Sequence, residues 1–267
     1  MTYQIGWFST GRGEGSRALL TRMHEEIEQG QITAKIAFVF CNREPGEAKG
    51  SDQFIELVKS YRIPIVCLSS KRFKTSSGEY LSLQWRIEFD REVMRRLKGY
   101  GPDLCVLAGY MLIVGHEMCQ HYNMINLHPA TPDGPTGTWR EVIWKLIESK
   151  ASETGVMMHL VTPELDKGPP VTYCKFSIRG ELFDKHWEEI KGLSLNELKA
   201  KQGEEKQLFK LIRQEGLKRE LPLIATTVKA FSEGRVRIEK GRVIDKSGKP
   251  LRAYSLTKEI DEIVKTI

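Results

Sequence analysis

Asn126, Leu127, His128 and Pro129 close an apolar run that starts at Met124, and open α/β sheets place ligands at such strand ends. Side chains alternate along a strand, so Asn126 and His128 fall on the same side. An amide donor and an imidazole facing one crevice suit the stabilisation of a developing oxyanion. A turn-capping Asn beside a hydrogen-bonded structural His is the alternative. Further on, Glu164, Leu165, Asp166, Lys167 and Gly168 follow another strand-like run. A carboxylate at Asp166 is placed to reach the His128 imidazole, unless the segment is an ordinary turn. A third constellation is Ser9, Thr10, Gly11, Arg12, Gly13, Glu14, Gly15, Ser16 and Arg17, between the first strand and the first helix. Glycines there let backbone N–H groups approach an anion, and a helix N-terminus adds partial positive charge, which together make a phosphate cradle. The stretch is not G-x-G-x-x-G, because Ser16 stands at the third glycine, and it lacks the Gly-Lys-Ser/Thr of a P-loop. A βα turn without a ligand remains the alternative.

Other chemistries fit poorly. His116 and Glu117 are followed by His121, which breaks the H-e-x-x-H spacing of a zinc helix, and no cysteine pair has zinc-ligand spacing. No G-x-S-x-G elbow is present for a serine hydrolase. Met157 and Met158 read as core. The five cysteines are dispersed without a C-x-x-C pair, a usage that predicts a reducing cytoplasm. The net charge is +6, with Lys and Arg interleaved among Asp and Glu, which favours small phosphates or carboxylates over nucleic acid. The longest uncharged apolar stretch, 104–115, is too short for the ~18 to 20 residues of a membrane span. The opening residues read as a first strand and not as a signal peptide.

The elements that must carry these residues follow from periodicity. Of the 267 residues, 40% are hydrophobic and 28% charged, the composition of a globular protein. Apolar runs at 3–9, 35–41, 63–68, 103–110 and 124–128 predict strands; three- and four-residue spacing at 16–29, 52–61 and 80–98 predicts helices between them. That alternation argues for a mostly parallel sheet with helices on its faces. Beyond it the pattern predicts a helix at 138–149, strands at 155–162 and 171–178, and helices at 183–190, 195–214 and 222–232. A hairpin is expected over 235–244 around Lys240 and Gly241. One catalytic domain over 1–234 is expected, with a hairpin and tail at 235–267 packed on it.

Taken together and in this order, these segments resemble the folate-dependent formyltransferases, with the glycinamide ribonucleotide formyltransferases the nearest branch. Gly13, Glu14, Gly15 and Ser16 resemble that family's phosphate loop, and Phe40, Cys41, Asn42 and Arg43 its second-strand ending. Residues 89–92 and 102–111 resemble the run into the folate pocket. Asn126 to Pro129, then Thr154, Gly155 and Val156 with His159, then Glu164, Leu165 and Asp166, resemble the catalytic signature; 231–236 resembles the C-terminal close.

The resemblance implies an α/β, Rossmann-like fold: a mostly parallel twisted sheet flanked by helices, with a short C-terminal β appendage. It implies Asn126, His128 and Asp166 as the catalytic set and Gly13, Glu14, Gly15, Ser16 and Arg17 as the phosphate cradle. The folate would be bordered by Met111, Leu112, Ile113, Val114, Val161, Thr162, Glu164 and Leu165. The implied reaction moves a formyl group from 10-formyltetrahydrofolate to the primary amine of glycinamide ribonucleotide in cytoplasmic purine biosynthesis. It needs no metal, nucleic acid or membrane, and a homodimer stays open. Departures concern the acceptor. Arg17 replaces the family's Asn, two residues are inserted around Gly11 and Arg12, Leu112 replaces an Arg, and Leu217 stands where the family's Glu holds a ribose. Another phosphorylated amine, such as an amino-sugar nucleotide, and a non-catalytic folate-binding paralogue therefore remain alternatives. The roughly 35 residues after Phe231 leave little room for the C-terminal barrel of a methionyl-tRNA formyltransferase. A deformylase would carry a regulatory domain before the first strand. A dinucleotide dehydrogenase would need an acidic ribose ligand where Asn42 and Arg43 stand.

Overall fold

The computed structural model describes residues 2–75, 79–201 and 203–266. The first half alternates as expected: β1 (Tyr3–Ser9), α1 (Glu14–Glu28), β2 (Ala34–Cys41), α2 (Lys49–Ser60), β3 (Ile65–Cys67), α3 (Leu83–Arg96), β4 (Leu104–Leu107), α4 (His116–His121) and β5 (Met124–His128). Then come α5 (Trp139–Glu148), β6 (Glu153–Leu160), β7 (Pro170–Ser177), α6 (Asp184–Glu189), α7 (Leu195–Lys201) and α8 (Gln207–Ser232). The chain closes with β8 (Val236–Glu239), β9 (Arg242–Asp245), β10 (Tyr254–Ser255) and α9 (Thr257–Val264). Eight strands form one sheet in the order β10-β7-β6-β5-β4-β1-β2-β3, while β8 and β9 pair separately. The β1–β2, β1–β4, β2–β3, β4–β5 and β7–β10 ladders are parallel, so the mostly parallel, helix-flanked sheet follows from the β-α alternation.

The chain divides into two compact units. The first comprises Met1–Asn126, His159–Pro169 and Val228–Leu251; the second comprises Leu127–Met158, Pro170–Thr227 and Arg252–Ile267. In the first unit Phe8, Phe40 and Leu107 of the strands share a core with Trp85, Phe89 and Val93 of α3. Those three recur at helical spacing, which gives α3 one apolar face, and Ser82 caps its start by accepting the Trp85 N–H. In the second unit Val142, Ile143, Leu146 and Ile147 of α5 join Phe176, Phe209 and Ile212 in another core. Thr138 and Glu141 form a reciprocal capping box at the start of α5, which fixes where the preceding loop must end.

Several elements differ from those the periodicity predicts. The helix expected over 195–214 is α7 followed by a 3-10 turn at Gly203–Glu205, with Gly203 at φ +51; residue 202 lies outside the described residues. The left-handed glycine lies between α7 and α8, a conformation glycine adopts without steric cost. Conversely, α8 runs through Pro222, where a break was expected. Proline removes one backbone bond, but Leu223, Ile224 and Val228 are each at most 1% exposed, and their burial holds the helix together across it. The periodicity does not predict the short elements α4, β10 and α9. The 235–244 hairpin is present, with Lys240 at φ +51 and Gly241 at φ +71, the paired positive angles of a tight I′ turn.

Candidate active site

Strand β5 delivers Asn126 and His128 at its C-terminal end, as the sequence predicts. His159, one residue from the end of β6, is 3% exposed, and its Nδ1–H donates to the Leu160 carbonyl at 2.8 Å. That bond fixes the neutral tautomer, so Nε2 is an acceptor, and Asn126 Nδ2 donates to it at 3.3 Å. The second N–H of Asn126 is left for the cavity that this residue lines. Asp166 Oδ1 lies 3.7 Å from the same His159 Nε2, within reach of an ion pair when the ring is protonated. Asp166 adopts φ +55, a left-handed conformation that Asp tolerates better than most residues.

His128 is 2% exposed, and its Nε2–H donates to the Pro135 carbonyl at 3.0 Å. A carbonyl only accepts, so Nε2 keeps its proton in both ring states. The proton gained on forming imidazolium therefore sits on Nδ1.

Asn126, His159 and Asp166 border a cavity of about 50 Å³ whose apolar walls include Leu112, Ile113, Val114, Val161 and Leu165, with Thr162 at its edge. The structure thus brings together six of the eight residues expected around folate. Met111, 60% exposed, and Glu164, also exposed, lie outside this lining. Gly13 precedes α1 as its N-cap, Glu14 to Arg17 form its first turn, and no side chain caps it. Nη1 of Arg17 is buried without a hydrogen-bond partner, a costly arrangement for a cationic donor unless an anion meets it. A larger cavity of about 590 Å³ lies beside α6 and α7, and two of its lining cations, Arg179 and Lys191, are engaged. Arg179 stacks on Trp187 at 3.9 Å, and Lys191 pairs with Glu188 at 2.9 Å.

The turn that forms one cavity wall, from Gly109 to Gly115, is held at its end by Asp90. This carboxylate is 4% exposed and accepts the Gly115 N–H at 2.6 Å. Burial raises its pKa from 3.8 to about 6, against lowering by that hydrogen bond and by Arg86, with Glu117 adding to the rise. The folded chain thus binds more protons than the unfolded chain between these values. The associated stability is fully present below about 4 and lost as pH rises through about 6, by roughly 3 kcal/mol. Asp90→Asn keeps an acceptor for Gly115 and removes the titration. Urea unfolding should therefore show the variant gaining on the wild type between pH 4 and pH 7; a pH-independent difference would refute this account.

The sequence pattern of the formyl transferase family matches residues 11–185, a span that contains Arg17, Asn126, His128, His159 and Asp166. The chain belongs to the formyl transferase family. Phosphoribosylglycinamide formyltransferase of Haemophilus influenzae is 26% identical over 254 residues, 92% of this chain and 97% of that protein. The Escherichia coli enzyme of the same name is 34% identical over 97 residues, 35% of this chain and 44% of that protein. The solved structure of the Coxiella burnetii phosphoribosylglycinamide formyltransferase in complex with CHES superposes with a TM-score of 0.69 at 21% identity, covering 96% of this chain and 99% of that one. That likeness establishes a shared formyltransferase fold.

Among the described residues no helix is long and apolar enough to cross a membrane. No group of three or more His, Cys, Asp or Glu among them is arranged to hold a metal ion. In the sequence His159 belongs to a motif that assigns it no role. The available signal was a histidine at the C-terminal end of a strand, where the sheet presents its ligands; only the strand order puts that strand beside the one carrying Asn126.

Proposed function

We propose that this formyltransferase moves the formyl group of 10-formyltetrahydrofolate to the primary amine of glycinamide ribonucleotide. The observation that carries the reading is the Asn126 amide, oriented by His159 beside Asp166 at the wall of an apolar cavity. Apolar walls with a few convergent polar groups suit the flat pterin of a folate. The free N–H of Asn126 suits the oxyanion formed when the amine attacks the formyl carbon. Collapse of that intermediate breaks the bond from the formyl carbon to folate N10; tetrahydrofolate leaves with a proton, and the amine nitrogen loses one. Imidazolium at His128 would supply a second donor through Nδ1–H, and the Asp166 carboxylate would take the amine proton through water. The folate carries the activated group, so the protein's part is binding, orientation and electrostatics.

Incubation with 10-formyltetrahydrofolate and glycinamide ribonucleotide should release tetrahydrofolate and formylated acceptor in equal amounts. Absence of product with that amine would overturn the named acceptor. An amino-sugar nucleotide is the second reading, favoured by Leu217: it is 42% exposed, and its alkyl side chain cannot hold a hydroxyl group. Strong preference for such an acceptor in the same assay would select that reading.

The acceptor's phosphate is assigned to the start of α1 and the unpartnered Nη1 of Arg17. Loss of a charge-assisted hydrogen bond of this kind is worth about 10- to 100-fold. Arg17→Ala should raise KM for the phosphorylated acceptor by that factor while changing folate affinity far less, and inorganic phosphate should compete with the acceptor. Equal turnover of phosphorylated and dephosphorylated amines would refute the assignment.

A further inference from the structure

We propose that Thr10 is a positioning residue that couples anion binding at the loop after β1 to folate binding in the cavity; the inference rests on the function proposed above. Thr10 is fully buried, at 0% exposure, and sits within the loop that leads to α1. Its backbone N–H donates to the Gly109 carbonyl at 3.0 Å, and its Oγ1 accepts the Met111 N–H at 2.9 Å. Two hydrogen bonds therefore tie this one residue to the first half of the turn that walls the cavity. Its carbonyl is held as well, accepting Ser51 Oγ–H of α2 at 3.2 Å. Thr10 has little freedom to move independently of either loop.

The junction has a second close contact. Gly109 adopts φ +72, and a Cβ there would lie 2.8 Å from Ser16 Oγ in the first turn of α1. The turn and the start of α1 thus meet at the glycine as well as at Thr10. At about 50 Å³ the cavity is well below the ~300 Å³ at the lower end of small-molecule pockets. A bicyclic ring seated fully within it needs a wall to give. The far end of the turn is fixed by Asp90 at Gly115 and both Tyr110 and Val114 are buried in the core, so the segment left to give is Met111 to Ile113, and the Met111 N–H to Thr10 bond carries its displacement to the anion loop.

A hydroxyl in this position does what an apolar side chain of the same size does not, because it alone accepts the Met111 N–H. An anion held at the first loop restrains that loop further and, through Thr10, the Met111 backbone. The ordering cost of the turn is then met once for two ligands, which gives positive cooperativity. One hydrogen bond of ordinary net strength supports a coupling factor of about 3- to 10-fold, and thermodynamic linkage makes that factor the same in both directions.

The test measures the affinity of tetrahydrofolate with and without saturating inorganic phosphate in the wild type, Thr10→Ser and Thr10→Val. The wild type and Thr10→Ser should bind tetrahydrofolate about 3- to 10-fold more tightly with phosphate present. Thr10→Val should lose that factor while retaining each separate affinity within about threefold. Thr10→Ala removes the same acceptor with less bulk and takes its place if the valine variant does not fold. A factor of one or below in the wild type, or an undiminished factor in the Val or Ala variant, would overturn the proposal. Tetrahydrofolate binding without coupling defeats the role of Thr10 alone; absence of any tetrahydrofolate binding defeats the functional reading with it.

Discussion

His128→Ala lowers kcat by about 10²- to 10³-fold, the scale for removal of one preorganised oxyanion donor, and Asn126→Ala lowers it by a similar factor. The reason is geometric. Pro135 holds Nε2 of His128 at 3.0 Å, so the nitrogen that changes protonation is Nδ1, and alanine removes both functions together. A glutamine at the same position separates them. Its amide N–H can replace the donor to the Pro135 carbonyl, but it has no second ring nitrogen to offer as a donor. His128→Gln should therefore keep the thermal stability of the wild type more closely than His128→Ala while losing comparable activity. At position 126, alanine also deprives His159 Nε2 of its donor at 3.3 Å. Steady-state release of tetrahydrofolate, with circular dichroism to confirm folding, checks all three variants. Near-normal turnover in a folded His128 or Asn126 variant would remove that residue from the catalytic set.

Gly168→Ala should destabilise the chain by about 1–3 kcal/mol or more and abolish most of its activity. A Cβ built at Gly168 overlaps the Leu160 carbonyl oxygen and lies 3.3 Å from Thr162 Cγ2. The obstacle is backbone, which a rotamer change cannot relieve. The neighbouring Leu160 N–H donates to the Pro169 carbonyl at 2.9 Å, so the segment is folded tightly back on the end of β6. Relieving the overlap must shift the turn that carries Leu165 and Asp166. Gly216→Ala is the matched control: no atom outside its own helix lies within 4 Å of that Cβ, and replacing a helical glycine should stabilise by roughly 0.5–1 kcal/mol. Urea midpoints and turnover of the two variants test the contrast. Equal stability of Gly168→Ala and wild type would show that the loop relaxes without cost.

The amino-acid sequence determined the β-α alternation, because apolar periodicity reports which face of each element is buried, and that is a local property. It determined β1 and β5 with the bounds observed, and so placed Asn126 and His128 at a strand end. Gly203 and Pro222 show where local signals lose: one left-handed glycine divides an expected helix, and buried Leu223, Ile224 and Val228 carry α8 through a proline. The cavity was legible in part. Leu112, Ile113, Val114, Val161, Thr162 and Leu165 were marked by resemblance, but nothing in the order of residues says that Asp90 holds Gly115 or that Thr10 holds Met111. Those bonds join positions 25 and 101 residues apart. His159 makes the same point. Its role exists only because β6 lies beside β5 in the sheet, and strand neighbours are chosen by the summed packing of the chain, which no single segment encodes. The tertiary structure alone decided which nitrogen of His128 and of His159 carries the proton, since that depends on the carbonyls of Pro135 and Leu160 reaching the rings.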